Sequence, residues 1–464
     1  VKRRRYYMLV GSLVVKYSSI KDKTTKLRAV MDLAEVSRIV TEEVWNVEVV
    51  DVHTHLFPPS HGDLMLWGID SLLTYHYLVA EYFMVAPLAI TPKSFFEMSK
   101  RDQATLVWKT LFLERTPLSE ACRGVLTTLR CLGLGGQLRA RDLEGIRKWF
   151  DAQTPESYVE LVFKLAKVKY CVMTNIPFDE REASEWSNPR AKQHSKRFKA
   201  AVRVDPILSG DWETLFRAIE KEGLDPNSTV GAQQFLINWS KRIDSTYFMA
   251  STPSGFTYRE EQMSDYVAMD RFETLDSGDV TKISTELIDK VLVPVARSEN
   301  KALALKLGAC RGVNHDLDPC GGGDGVEIVD LDYVSSLCTR FPDVKILLTV
   351  LSRVNQHKLC VLANKFRNLH VYGCWWYCNN PSMIEEISKQ RIEMLGTGFT
   401  IQHSDSRVLD QLIYKWAHSR QVIADVLVAK YKDLWETNWE ITREEIRRDV
   451  GRLFGDAYHE FLEK

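Results

Sequence analysis

The sequence predicts an α/β chain, a distorted (β/α)8 TIM barrel with a helical insertion after its first strand. Three observations lead there. Eight short apolar runs alternate with longer amphipathic stretches, the pattern of parallel strands joined by crossover helices. The first run, "VEVVDVH" at 47–53, continues into "THLF", so His53 and His55 stand one residue apart where a barrel strand ends. Over a hundred residues separate the first two runs, too many for a simple βα loop. Two α/β domains would also fit the alternation, but a count of eight favours the barrel.

The chain opens with "VKRRRYYMLVGSLVVKYSS", residues 1–19, a basic start and an apolar run that imitate a signal peptide. The run is short, has no small-x-small cleavage site and is interrupted by Lys16, so targeting is not expected. The initial Val and the internal Met8 suggest that Val1–Tyr7 is an upstream extension. After the first strand, the insertion at about 58–167 carries the helix patterns "SFFEMSKRDQATLVWKTLFLERT" and "EACRGVLTTLRCLG". It is expected above the barrel mouth, and no Pro/Gly/Ser linker sets it apart, so residues 1–464 are read as a single domain.

The other strand candidates are "KYCVMT" (169–174), "KAAVRV" (199–204), "TYFMAS" (246–251), "ALALKL" (302–307), "KILLTV" (345–350), "LHVYGC" (369–374) and "FTIQHS" (399–404). Between them lie clear helices such as "DLDYVSSLCTRF" and "SMIEEISKQRIEMLG", the latter stopped by Gly396. The C-terminal helices, about 408–464, include the amphipathic "VLDQLIYKWAHSRQVIADVLVAKY", expected to pack outside the barrel.

Composition narrows the function. The 61 basic and 62 acidic residues leave a net charge of −1, so no field favours nucleic acid or an anionic membrane. No apolar run reaches spanning length. Nine irregularly spaced cysteines argue against a disulfide framework and for a reducing, cytoplasmic setting. A small-molecule substrate is expected, and a homo-oligomer is compatible with the sequence.

Barrel chemistry belongs at the carboxyl ends of strands. Those ends carry His53 and His55, Asn175, Arg203 with Asp205, Lys306, Arg353, Trp375 and Trp376, and Asp405 with Arg407. Strand eight of a closed barrel pairs with strand one, so Asp405 joins His53 and His55 in a three-ligand divalent site. Hydrolases of this design need further histidines at the ends of strands five and six. Here His315 lies several residues beyond strand five and His357 one turn into a helix. Metal-activated water is therefore the weaker expectation, and the arginines suit a small anionic polyol. Cys374 and Cys378 have no second pair to make a zinc knuckle. The "GGGDG" run at 321–325 lacks the Lys-Ser/Thr of a phosphate loop and is expected near the mouth.

The segments "DVHTHLF", "LLTYHYLVAEY", "SEACRGVL", "GCWWYCNNP" and "QHSDSRVLDQLIYKW" resemble the uronate isomerase (glucuronate isomerase) family of the amidohydrolase superfamily, in particular its divergent bacterial branch. The resemblance runs from about residue 30 to the end. It implies a distorted (β/α)8 barrel, one zinc-type ion, and interconversion of aldohexuronates and ketohexuronates, such as D-glucuronate with D-fructuronate and D-galacturonate with D-tagaturonate. By position it implies His53, His55 and Asp405 as metal ligands, His76 and Tyr77 reaching into the pocket, and Arg203 and Arg407 on the substrate. "ALALKLGACRG" departs from members with a histidine near strand five, and His403-Ser404-Asp405 departs from a Thr-Asp-Ser-Arg motif.

Moving a proton from C2 to C1 needs a base and a stabilised enediol. Asp405 is the expected base and Arg407 the stabiliser of the enediolate oxygen. His76 and Tyr77 are expected to polarise the carbonyl or shuttle hydroxyl protons, with Arg203 binding anionic or hydroxyl oxygen; Trp375 and Trp376 either wall the sugar or serve as packing at the strand end. A hydride shift is the competing mechanism. The competing functions are a metal-dependent hydrolase of a sugar lactone or amide, and a non-catalytic sugar-acid-binding barrel.

Overall fold

The computed structural model describes residues 31–258, 285 and 287–464. The basic N-terminal stretch read above at 1–19 lies outside them. Seven parallel strands form one curled sheet: β1 Val49–Asp51, β2 Val168–Asn175, β3 Phe198–Arg203, β4 Ser245–Ser251, β5 Ala302–Leu307, β8 Ile346–Val350 and β9 Leu369–Val371, adjacent in that order. A two-stranded antiparallel hairpin, β6 Ala309–Cys310 and β7 Gly325–Val326, follows β5.

The eighth predicted strand, "FTIQHS", does not form a regular strand. It makes one parallel bridge, Tyr372 to Thr400, and then hydrogen bonds across to the first strand's extension. Asp405 N–H donates to the His53 carbonyl at 3.2 Å, and His55 N–H to the Ser406 carbonyl at 2.7 Å. The ring thus closes through irregular backbone, which accounts for the distortion. Gly373 marks the tightest point: its φ is +61°, and a Cβ there would lie 1.9 Å from His403 Cδ2.

Side chains alternate between two cores because a strand has a period of two. Leu303 and Leu305 of β5 face outward into the large helix-covered core, while Ala302 and Ala304 face inward. The inner core also takes Val172, Ala201, Met249 and Leu347, and is closed from below by Tyr458 and Phe461 of the helix Ala457–Glu463. Two residues further along each strand, the same inward face emerges as Thr174, Arg203, Ser251 and Lys306. All four line one cavity. The period that builds the barrel core therefore aims these polar side chains at a common point.

Between β1 and β2 the chain forms a succession of helices from Ile69–Leu73 to Pro155–Ala166. One of them, His76–Val85, starts at the cavity. The 25-residue helix Gln411–Trp435 packs on the N-terminal helix Leu33–Asn46 and on Glu120–Cys131. Among the described residues, no helix is long and apolar enough to cross a membrane.

Candidate active site

The cavity has a volume of about 470 Å³ and opens at the carboxyl ends of the strands. Of the residues predicted from sequence, His55, His76, Arg203, Trp375, Trp376, Asp405 and Arg407 line it. His53 lies directly beneath, with no exposed surface.

At the floor, His53 Nε2 is 3.1 Å and His55 Nε2 3.4 Å from Asp405 Oδ1. The three groups are close enough to hold one metal ion together. Burial drives both imidazoles down to about 3, so each is neutral and keeps a lone pair. Burial alone would raise the Asp405 carboxyl, but the two imidazoles beside it hold it well below the usual carboxylate range. Its Oδ1 is buried without a hydrogen-bond partner. Two imidazole nitrogens and an unsatisfied carboxylate oxygen form a donor set that fits a divalent cation.

Asp405 sits in left-handed backbone, φ +52°, a strained conformation for a residue with a side chain. Its neighbours hold it there. Buried Asp51 accepts from Ser404 N–H at 3.0 Å and from Trp416 Nε1 at 2.9 Å. Lys415 Nζ donates to the Ser404 carbonyl at 2.7 Å, and Asn379 Nδ2 to the carbonyls of His403 and Ser404 at 3.0 Å each. Burial pushes the Asp51 carboxyl up to about 6, with Ser404 and Trp416 opposing that rise.

Lys306, near the end of β5, is a strand-end residue to which the sequence assigns no role. It is 2 % exposed, and its Nζ lies 3.0 Å from His53 Nε2 and 4.9 Å from the Trp375 ring centroid. Burial pulls its ammonium down to about 7. Arg203 is engaged by Asp205 through two bonds of 2.8 and 2.5 Å. Arg311 of the hairpin pairs with Asp324. Among the described residues no carboxylate pairs with Arg407, which leaves its guanidinium available at the mouth.

The structure separates some predicted residues from the cavity. Tyr77 is not in its lining, and Tyr75 is; the helix begins at His76 with Tyr75 as its N-cap, so the first turn carries Tyr77 under Lys415, 5.5 Å from its ring centroid. Arg353 turns away to Glu386 at 2.9 Å, with 66 % of its side chain exposed. His315 is 82 % exposed and pairs with Asp318, and His357 lies within the helix Asn355–Ala363. Glu182, absent from the sequence reading, lines the cavity and is bonded by Asn175 Nδ2 at 2.9 Å. Burial pushes its carboxyl up to about 7. It lies beyond the strand end on a short helix, Glu180–Glu185, where no strand-end rule points.

No family model and no curated protein matches the chain. Among solved structures it is similar to a uronate isomerase from Bacillus halodurans C-125, with 41% identity, a TM-score of 0.85, and coverage of 94% of this chain and 98% of that one. It shares its fold with a uronate isomerase from Thermotoga maritima at 16% identity and a TM-score of 0.73, covering 92% of this chain and 97% of that one. A glucuronate isomerase from Caulobacter crescentus is similar at 16% identity and a TM-score of 0.73, covering 95% of this chain and 97% of that one.

Proposed function

Because the chain belongs to the uronate isomerase family, we propose that it interconverts aldohexuronates and ketohexuronates by moving a proton between C2 and C1. The observation that carries the reading is the ionised Asp405 carboxylate, bounded by His53 and His55 on one side and by the cavity on the other.

Isomerisation is an internal redox exchange that needs no outside oxidant. The C2–H bond breaks and its electrons form the C1–C2 double bond of an enediolate as the C1=O π pair moves onto O1; O2 then gives up its hydroxyl proton to form C2=O, the double-bond pair takes a proton at C1, and O1 is protonated. Asp405 Oδ1 faces the imidazoles, so Oδ2 is the oxygen that takes the C2 proton and returns it at C1. Arg407, free of any acidic partner among the described residues, stabilises the enediolate oxygen. Lys306 adds a further hydrogen-bond donor from β5, next to Trp375. Arg203, held by Asp205, binds anionic or hydroxyl oxygen of the hexuronate. His76 polarises the carbonyl or carries hydroxyl protons. Trp375 and Trp376 wall the sugar, and Tyr77, packed on His76 with its hydroxyl buried and unpaired among the described residues, shares the handling of hydroxyl protons.

His53, His55 and Asp405 would hold one divalent ion, zinc being the metal that two imidazoles and a carboxylate suit. When bound, the ion supplies a fixed positive charge that orients substrate oxygens. A hydrolytic reading is disfavoured because β5 presents Lys306, not a histidine, to the cavity, and no histidine lies on β8.

Incubation with D-glucuronate and D-galacturonate in heavy water tests the proposal. Ketose should form and solvent deuterium should appear in the product at the carbon that receives the proton. Ketose without deuterium would point to a hydride shift, and no ketose from either acid would defeat the reading.

A further inference from the structure

Trp376 has a backbone φ of +46°, a left-handed conformation that is strained for a residue with a bulky side chain. Such strain persists where the surroundings over-determine it, and it clusters at functional sites. Here the Trp376 ring stacks on Tyr377, 4.7 Å between centroids and 15° from parallel, and its indole Nε1–H donates to His76 Nε2 at 3.2 Å.

That bond has a chemical consequence for His76. An indole nitrogen can only donate, so Nε2 of His76 must accept. A neutral imidazole that accepts at Nε2 carries its proton on Nδ1. Burial favours the neutral ring, driving His76 down to about 3. The Nδ1 atom is itself buried and has no hydrogen-bond partner among the described residues. A buried donor left unpaired is costly, which marks it as a group awaiting a partner. His76 lines the same cavity as Asp405 and Arg407.

We propose that Trp376 is a positioning residue that locks His76 as the Nδ1–H tautomer, so that His76 presents a donor, not an acceptor, to a carbonyl or enediolate oxygen of the bound uronate. The catalytic part of this rests on the isomerase reading, while the tautomer itself does not. On this view Trp376 does more than wall the sugar, because losing one N–H group changes what His76 can do. A donor-only His76 also narrows its role: it polarises oxygen and does not remove a proton from a hydroxyl through Nδ1.

Nitrogen NMR of protein with labelled histidine decides the tautomer, with the His76 signals assigned by their loss in His76→Asn. The proton is expected on Nδ1 in the parent. Trp376→Phe, which keeps an aromatic ring but no N–H, should shift the proton toward Nε2 and lower kcat by about tenfold to a hundredfold, with KM within about twofold. The Asn amide can donate near the Nδ1 position without help from an indole. In the His76→Asn background, Trp376→Phe should therefore change kcat by less than about twofold. A parent spectrum with the proton on Nε2 overturns the proposal, and so does an equal loss of kcat in both backgrounds. Should Trp376→Phe fail to fold, the parent spectrum alone decides. A protein that isomerises no uronate would defeat the functional reading and remove the catalytic part, while the spectrum would still answer for the tautomer.

Discussion

The two sides of the barrel are built differently. From β2 to β5 the strands run six to eight residues, pair along most of their length with one register shift between β3 and β4, and send their side chains alternately to two cores. From β9 through Thr400 to β1, the regular strands are three residues long and the ring closes through single hydrogen bonds. The regular side contributes Arg203 and Lys306 simply by extending its inward face. The irregular side contributes His53, His55, Trp376 and Asp405, two of them in left-handed backbone. Regular pairing brings side chains to the cavity from successive strands, while the irregular closure brings His53, His55 and Asp405 within reach of one another.

If this division is right, the largest effect belongs to Asp405→Asn. It keeps size and shape but loses charge and basicity, and turnover should fall about a thousandfold or more. Metal content must be measured beside rate, because the same carboxylate is a proposed ligand. A variant that retained its ion and isomerised at the parent rate would move the base elsewhere.

On the outward face of the regular side the loss should be of stability alone. Leu303→Ala in β5 empties part of the outer core, at a cost of about 2–5 kcal/mol in the urea unfolding free energy. The kinetic constants of the protein that remains folded should match the parent's. A changed KM would mean the two sides are coupled more tightly than their geometry implies.

The third effect is spread over pH. His53, His55, His76 and His370 are each driven by burial to about 3, well below the unfolded value of 6.5. The unfolded chain binds more protons in that window, so stability is full above pH 6.5 and falls as pH drops from there toward 3. Each histidine contributes up to about 1.4 kcal/mol per pH unit. Urea midpoints that stay flat from pH 6.5 to 5 would show that these imidazoles are not buried neutral. A bound ion should deepen the dependence, since protons compete for His53 and His55.

What could be read from the sequence divides along the same line. The apolar runs of β2 to β5 were legible because a run of β-branched and aliphatic residues has few other uses, and their observed ends fall within a residue of expectation. "FTIQHS" looked like another such run but is bonded as a strand only at Thr400, because its later residues are drawn into the Asp51, Lys415 and Asn379 network. Those partners are far away in sequence, and no local pattern announces them. Arg353 and Lys306 carried the same strand-end signal. One is steered out to Glu386 and the other inward by its place on the Ala302–Ala304 face. Parity does not separate them, since Arg353 keeps step with the inward Leu347; the difference is that Lys306 lies within β5, whereas Arg353 lies three residues beyond the end of β8. Tyr75 and Tyr77 differ by the start of one helix, a boundary that "TYHY" does not mark. The hairpin β6 and β7, two residues per strand, gave no periodicity to detect.

The closure of the ring through Asp405 also sets an order in time. His53 and His55 leave the ribosome roughly 350 residues before the carboxylate that completes their site, and at ordinary rates of synthesis that interval is tens of seconds. Throughout it a nascent chain offers an ion two imidazoles without the third ligand, and a site of two neutral donors holds a cation weakly. The full set forms only when the 399–406 segment joins β1, so the last barrel contact to become available is also the one that completes the proposed metal site. A pulse-labelled chain arrested before residue 405 should therefore retain far less ion than one arrested after the helix Gln411–Trp435 has emerged.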